Sequence, residues 1–207
     1  HASSRLLCLE NTVGGKAISL EKMEDVSKTA RKNSLSIHLD GARFFNAVTS
    51  LNCKPEELAN CADSVSVCLS KGLGTPLGTV LVGSSKFIRK ARRNRKILGG
   101  SMRQVGIVAA AGHYALDNNI SRLVEDHNRA EFFANELREM NIGHVDSGTN
   151  MVFFTPKEGH ADNLRLHLEK YGVKIGDQNP SIRMVLHRDV SDKGLDKAIA
   201  GFKSFYQ

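Results

Sequence analysis

Val65-Ser66-Val67-Cys68-Leu69-Ser70-Lys71-Gly72-Leu73-Gly74-Thr75-Pro76-Leu77-Gly78 is the stretch on which the fold turns. Its first five residues are apolar and β-branched and predict a strand. The glycines and the proline that follow predict a sharp turn. Lys71 stands where strand gives way to turn. A lysine at a strand end is ordinarily a solvated charge, but this one has a companion. Upstream, Ser36-Ile37-His38-Leu39 predicts another strand, Asp40 stands at its C-terminal end, and Gly41-Ala42-Arg43 turns the chain. In open α/β sheets ligands bind beyond the carboxyl ends of strands.

Outward from these two segments, strands and helices alternate. Leu6 to Leu9 predicts a strand, Ser19 to Lys32 a helix with Leu20, Met23, Val26 and Ala30 at helical spacing. Phe44 to Leu51 predicts a short helix. Pro55 opens another at the first helical position, where its missing N–H costs nothing. Thr79 to Val82 predicts a fourth strand. This βαβ rhythm predicts an α/β fold with a mainly parallel sheet. Helices follow over Ser85–Leu98, Met102–Asp117 and Arg122–Met140. The pattern then changes to a small α+β unit: Val145, Met151 to Phe154, Val173 to Ile175 and Ile182 to Leu186 as strands, with helices over Asp162–Tyr171 and Lys193–Phe205. The expected domains are 1–120, part of a large α/β domain, and 121–207, a small C-terminal α+β domain.

Composition limits the function classes. Of 207 residues 41% are hydrophobic, enough for a packed core. No apolar run approaches a membrane span, and no signal peptide is expected ahead of the first strand. The chain begins at His1, without Met, and enters an apolar run at once; a missing N-terminal part is expected. Cys8, Cys53, Cys61 and Cys68 form no C-x-x-C pair and are expected to be reduced core thiols of an intracellular protein, in the cytoplasm or an organelle matrix. Net charge is +7, yet Arg89, Lys90, Arg92, Arg93, Arg95 and Lys96 fill one window. Removing those six from the 29 basic residues leaves near balance with the 22 acidic ones. A local basic helix face, without interleaved aromatics, predicts no nucleic-acid partner. His38, His113, His127, His144, His160, His167 and His187 show no ligand spacing, so no metal site is expected.

An amine and a carboxylate presented together at strand ends are what a pyridoxal phosphate (PLP) site needs. The lysine forms the Schiff base and the acid keeps the pyridine nitrogen protonated. Asp40 also has an ordinary reading as a helix cap, with Arg43 as its ion-pair partner. Gly72, Gly74 and Gly78 miss the dinucleotide fingerprint by one residue, and the lysine precedes them instead of following, so both nucleotide-loop readings fail. Arg183 lies among apolar residues in Ser181-Ile182-Arg183-Met184-Val185-Leu186; such an arginine is costly to bury unless it binds an anion, and otherwise faces water on an edge strand. Arg103 follows Gly99-Gly100 at an expected helix start, where anions are favoured.

Leu7-Cys8-Leu9-Glu10-Asn11-Thr12, His38-Leu39-Asp40-Gly41-Ala42-Arg43-Phe44-Phe45-Asn46-Ala47, Cys68-Leu69-Ser70-Lys71-Gly72-Leu73-Gly74-Thr75-Pro76 and Gly99-Gly100-Ser101-Met102-Arg103-Gln104 together resemble the low-specificity L-threonine aldolases, PLP enzymes of the aspartate aminotransferase fold type (fold type I). The resemblance runs along essentially the whole chain. It implies cleavage of β-hydroxy-α-amino acids to glycine and an aldehyde. It implies Lys71 as Schiff-base lysine, Asp40 as ring-nitrogen partner, Arg43 as a ring-oxygen contact, Arg103 near the phosphate across a subunit boundary, and Arg183 on the substrate carboxylate. The Ser70 hydroxyl is the other candidate phosphate donor within the chain. It sets His1 near the β-hydroxyl, and it implies a homo-oligomer, a tetramer. The sequence departs from the family at Val13, where a histidine is expected. A β-eliminating amino-acid lyase of the same fold and a truncated, PLP-free binding protein stand as the alternatives.

Overall fold

The computed structural model describes residues 3–157, 159–176 and 181–207. The chain divides into two compact units, residues 1–123 and 124–207.

The first unit is built on a four-stranded sheet of β1 (Leu6–Glu10), β2 (Ser36–Gly41), β3 (Ser64–Cys68) and β4 (Thr79–Gly83), in that order across the sheet. β1, β2 and β3 run parallel, and β4 returns antiparallel to β3. The parallel strands need crossovers. Helix α1 (Leu20–Lys32) makes the first, and α2 (Phe44–Leu51) with α3 (Pro55–Ala59) makes the second. Ser19 caps α1 by accepting the Lys22 N–H, and Arg31 and Lys32 sit at its negative C-terminal end. Alternation along β2 separates the faces. Ile37 and Leu39 are fully buried against the helices, while His38 and Asp40 point to the opposite face. The core joins Met23 of α1, Phe44, Ala47 and Val48 of α2, Leu58 of α3, Leu39, Val65 and Val67 of the strands, and Leu69 just beyond β3.

Two helices follow β4: α4 (Ser85–Ile97), capped by Ser84, and α5 (Gly106–Asn118). α4 carries the basic cluster and buries none of its residues. α5 starts later than Met102. Met102 lies ahead of a turn through Arg103 and Gln104, and Gln104 takes a left-handed φ of 52° that a helix does not admit.

The second unit pairs a three-stranded antiparallel sheet with helices. α6 (Leu123–Glu139) leads into β5 (Gly143–Gly148) and β6 (Met151–Pro156); α7 (Ala161–Glu169), β7 (Ile182–Val185) and α8 (Asp192–Tyr206) follow. The sheet order is β5-β6-β7. Val152, Phe154, Leu164, Leu168, Ile182 and Phe202 form its core, with Phe202 edge-on to both Phe133 and Phe154. The expected strand over Val173–Ile175 is irregular backbone instead. Its apolar side chains pack against the core without a ladder, so hydrophobicity alone gave the wrong element.

The cysteines also differ from expectation. Cys61 is buried, Cys53 and Cys68 are partly so, and Cys8 is exposed. Cys8 lies on the same outward face as His38 and Asp40, which alternation decides and residue type does not. Burial pushes the Cys61 and Cys53 thiols up from their ordinary value. Among the described residues no helix is long and apolar enough to cross a membrane, and no group of three or more His, Cys, Asp or Glu could hold a metal ion.

Candidate active site

Asp40 and Lys71 are brought to the same end of the sheet. Asp40 stands opposite Ser66 in the β2–β3 register, and β3 ends two residues later at Cys68. The chain then makes a closed turn. Leu69 N–H donates to Gly78 O (2.9 Å), Thr75 N–H to Leu69 O (3.1 Å) and Gly74 N–H to Lys71 O (2.9 Å). Gly74 and Gly78 adopt positive φ of 74° and 129°, which explains glycine at both. Lys71 is exposed on this turn, while Gly72 and Leu73, the next two residues, are buried.

Asp40 is not the cap of α2. The N-cap is Arg43, and Asp40 Oδ1 accepts the Ala42 N–H two residues on, at 2.9 Å. That bond fixes the carboxylate at the strand end and leaves it exposed. The loop after β1 is tethered to the same place, with Asn11 N–H donating to Asp40 O (3.2 Å). Asn11 braces this loop by exchanging two hydrogen bonds with the Ile18 backbone. The adjoining Thr12 hydroxyl is buried without a hydrogen-bond partner.

Of the remaining candidates, Arg43 is half-buried beside Asp40 in sequence. Ser70 is exposed, with its hydroxyl 3.5 Å from Cys68 Sγ. Arg103 is exposed in the turn before α5. Arg183 belongs to the second unit. It is exposed on β7, opposite Phe153, at the rim of an apolar hollow whose floor includes Phe133, Leu186, Leu195 and Phe202. Arg183 is therefore solvated and bears no burial cost, contrary to the expectation from its apolar neighbours. His1 lies outside the described residues.

Sequence reasoning passed over three residues that shape this end of the sheet. Gly41 faces the β3 backbone so closely that an added Cβ would lie 2.7 Å from Ser66 O. Asn46 and Asn119 are 3% and 5% exposed. An asparagine inside the apolar helix Phe44-Phe45-Asn46-Ala47 was the available signal, since a buried amide requires a partner.

Chemically the arrangement offers a primary amine and a carboxylate from adjacent strand ends, with a hydroxyl beside the amine and a guanidinium beside the carboxylate. The family model described as beta-eliminating lyase matches residues 1–158. The chain is 43% identical over 204 residues to the low specificity L-threonine aldolase of Escherichia coli K12, covering 99% of this chain and 61% of the relative. It is 41% identical over 215 residues to the low-specificity L-threonine aldolase 1 of Arabidopsis thaliana, covering 98% and 60%. It thus spans about three fifths of the length of these relatives. Among solved structures, a threonine aldolase of Leishmania major superposes with a TM-score of 0.84 at 18% identity, covering 98% of this chain and 61% of that one. A serine palmitoyltransferase of Sphingomonas wittichii gives 0.76 at 16%, covering 98% and 54%. The fold is accordingly that of the fold type I PLP enzymes. With more than half of its length matched by the family model, the chain belongs to the beta-eliminating lyase family.

Proposed function

We propose that this chain is the lysine-bearing portion of a PLP-dependent carbon–carbon lyase that cleaves L-threonine, L-allo-threonine and related β-hydroxy-α-amino acids to glycine and an aldehyde. One observation carries the reading. Lys71 and Asp40 leave neighbouring strands at the same end of the sheet, in a chain 43% identical over 99% of its length to an L-threonine aldolase. Members of the family are PLP-dependent, and the donor set fits that cofactor. A primary amine stands on an exposed turn, and an exposed carboxylate stands at the next strand end.

When bound, PLP supplies an electron sink for the pair released as Cα–Cβ breaks. Lys71 Nζ would be the amine that holds the cofactor. Asp40, its carboxylate oriented by the Ala42 N–H, would keep a proton on the ring nitrogen through a charge-assisted hydrogen bond. Arg43 would serve the ring oxygen. Ser70 Oγ and Arg103 would serve the phosphate, Arg103 across a subunit boundary. Arg183 grips the substrate carboxylate with its planar fork and so determines which bond at Cα is turned for cleavage. His1 is the candidate for taking the β-hydroxyl proton. We also propose a homo-oligomer, a tetramer; exposed Leu98, Ile107 and Tyr114 support an assembly, and sedimentation measures it.

The family model's own description favours β-elimination as the second reading. Product analysis separates the two. L-Threonine with excess PLP is expected to give glycine and acetaldehyde in equal amounts, with borohydride fixing the cofactor on Lys71 and Lys71→Ala abolishing both. Ammonia with 2-oxobutanoate would transfer the chain to the eliminating reading. No product and no modified Lys71 would leave a PLP-free binding protein.

A further inference from the structure

Asn119 follows the last residue of α5, where its N–H closes the helix on Ala115 O at 2.9 Å. Its side chain does something unrelated to the helix. Nδ2 donates to Leu73 O at 2.7 Å, a buried bond across 46 residues of sequence. Leu73 is two residues beyond Lys71. On the other side, the same segment meets α2. A Cβ at Gly72 would lie 3.2 Å from Asn46 Oδ1 and 2.8 Å from Leu123 Cδ2. The backbone immediately after Lys71 is therefore gripped between one buried amide that bonds it and another that packs on it.

We propose that Asn119 is a positioning residue for Lys71, holding the turn so that Nζ is presented at one place beside Asp40. The purpose of that placement rests on the PLP reading above; the grip itself does not. A lysine side chain is a flexible four-carbon stem, so the place of its Cα sets the region that Nζ can reach. The Lys71 turn is a connection between two strands, and its internal bonds close it on itself. The Asn119 bond ties it to the end of α5. A buried amide without a partner is costly, and an apolar residue would fill the α5 terminus as well. What an apolar residue would not do is satisfy the buried Leu73 carbonyl.

The test uses Asn119→Ala and Asn119→Asp, the second keeping the shape and losing the donor. Two readouts are taken on the whole chain: amide hydrogen exchange, and PLP fixed on Lys71 by borohydride as a function of PLP concentration. In both variants the Gly74 and Thr75 amides are expected to exchange about tenfold faster or more, the scale of losing one buried hydrogen bond. Half-saturation of Lys71 should need about tenfold more PLP, while Leu39 and Val65 in the central strands keep their protection. Unchanged exchange at Gly74 and Thr75, or unchanged half-saturation beside faster exchange, would overturn the proposal. Loss of protection throughout residues 6–83 in both variants would also overturn it, because Asn119 would then be core support. If the parent chain takes no PLP on Lys71, the PLP reading fails, and the exchange of Gly74 and Thr75 still decides whether Asn119 holds the turn.

Discussion

Gly41 lets Asp40 stand where it does. A β-carbon at residue 41 would meet Ser66 O at 2.7 Å and Phe44 Cβ at 2.9 Å, and a backbone carbonyl in a ladder cannot step aside. Gly41→Ala is expected to cost about 1–3 kcal/mol, the scale of forced overpacking, read as a lower urea midpoint; an unchanged midpoint contradicts the close approach. Asp40→Asn keeps the shape and removes the charge. Turnover should fall by orders of magnitude while PLP affinity falls less, because an amide does not hold the ring proton electrostatically. Equal kinetics in mutant and parent would reduce Asp40 to a turn residue. Arg183→Lys exchanges a fork for a point charge. Its expected signature is an apparent substrate affinity weaker by about 10- to 150-fold at unchanged PLP occupancy, from the loss of about 1.5–3 kcal/mol; lost PLP with retained affinity would remove Arg183 from the substrate site. Asp40 was legible in sequence because a carboxylate ending an apolar run is conspicuous. Gly41 was not. Glycine after aspartate reads as a turn residue, and its real constraint is a contact with β3 that only the strand register reveals.

Elements were legible where one pattern governed them. Ser19 and Ser84 cap α1 and α4, and alternation along β2 separates the buried from the outward face. The strand expected over Val173–Ile175 failed because apolar side chains packing on a core do not require a ladder. Helix α6 gives a pH test of the second unit. Burial lowers the His127 pKa from its ordinary 6.5, and the neighbouring Asp126 charge only partly opposes this. A folded value below the unfolded one means that the unfolded chain takes up the proton first. The contribution is complete above 6.5 and is lost as pH falls through 6.5 toward the folded value. His127→Gln should flatten that acid-side decline in the unfolding midpoint of residues 124–207. An equally steep decline in the variant would assign it to other groups.

At the scale of the whole molecule, much apolar surface is uncovered. Val80, Leu81 and Val82 of β4 are each more than a third exposed, Ile107 of α5 is 83% exposed and Leu98 is 84% exposed. A PLP phosphate carries close to two charges and requires several donors, and Ser70 and Arg103 are the two proposed above. The 207-residue chain alone is therefore expected to bind PLP weakly and turn over little, and a polypeptide extended to the length of its relatives is expected to do both well; PLP titration of the two measures this, and tight stoichiometric binding by the shorter chain would contradict it. The bond from Asn119 to Leu73 also has a consequence in time. β3 and β4 are sequence neighbours, and a hairpin of that kind closes on the order of microseconds. The 46 residues to Asn119 take about 2–9 s to synthesise at about 5–20 residues per second. On the ribosome the bond that pins the lysine turn therefore forms only after α5 has been made, seconds after the turn itself.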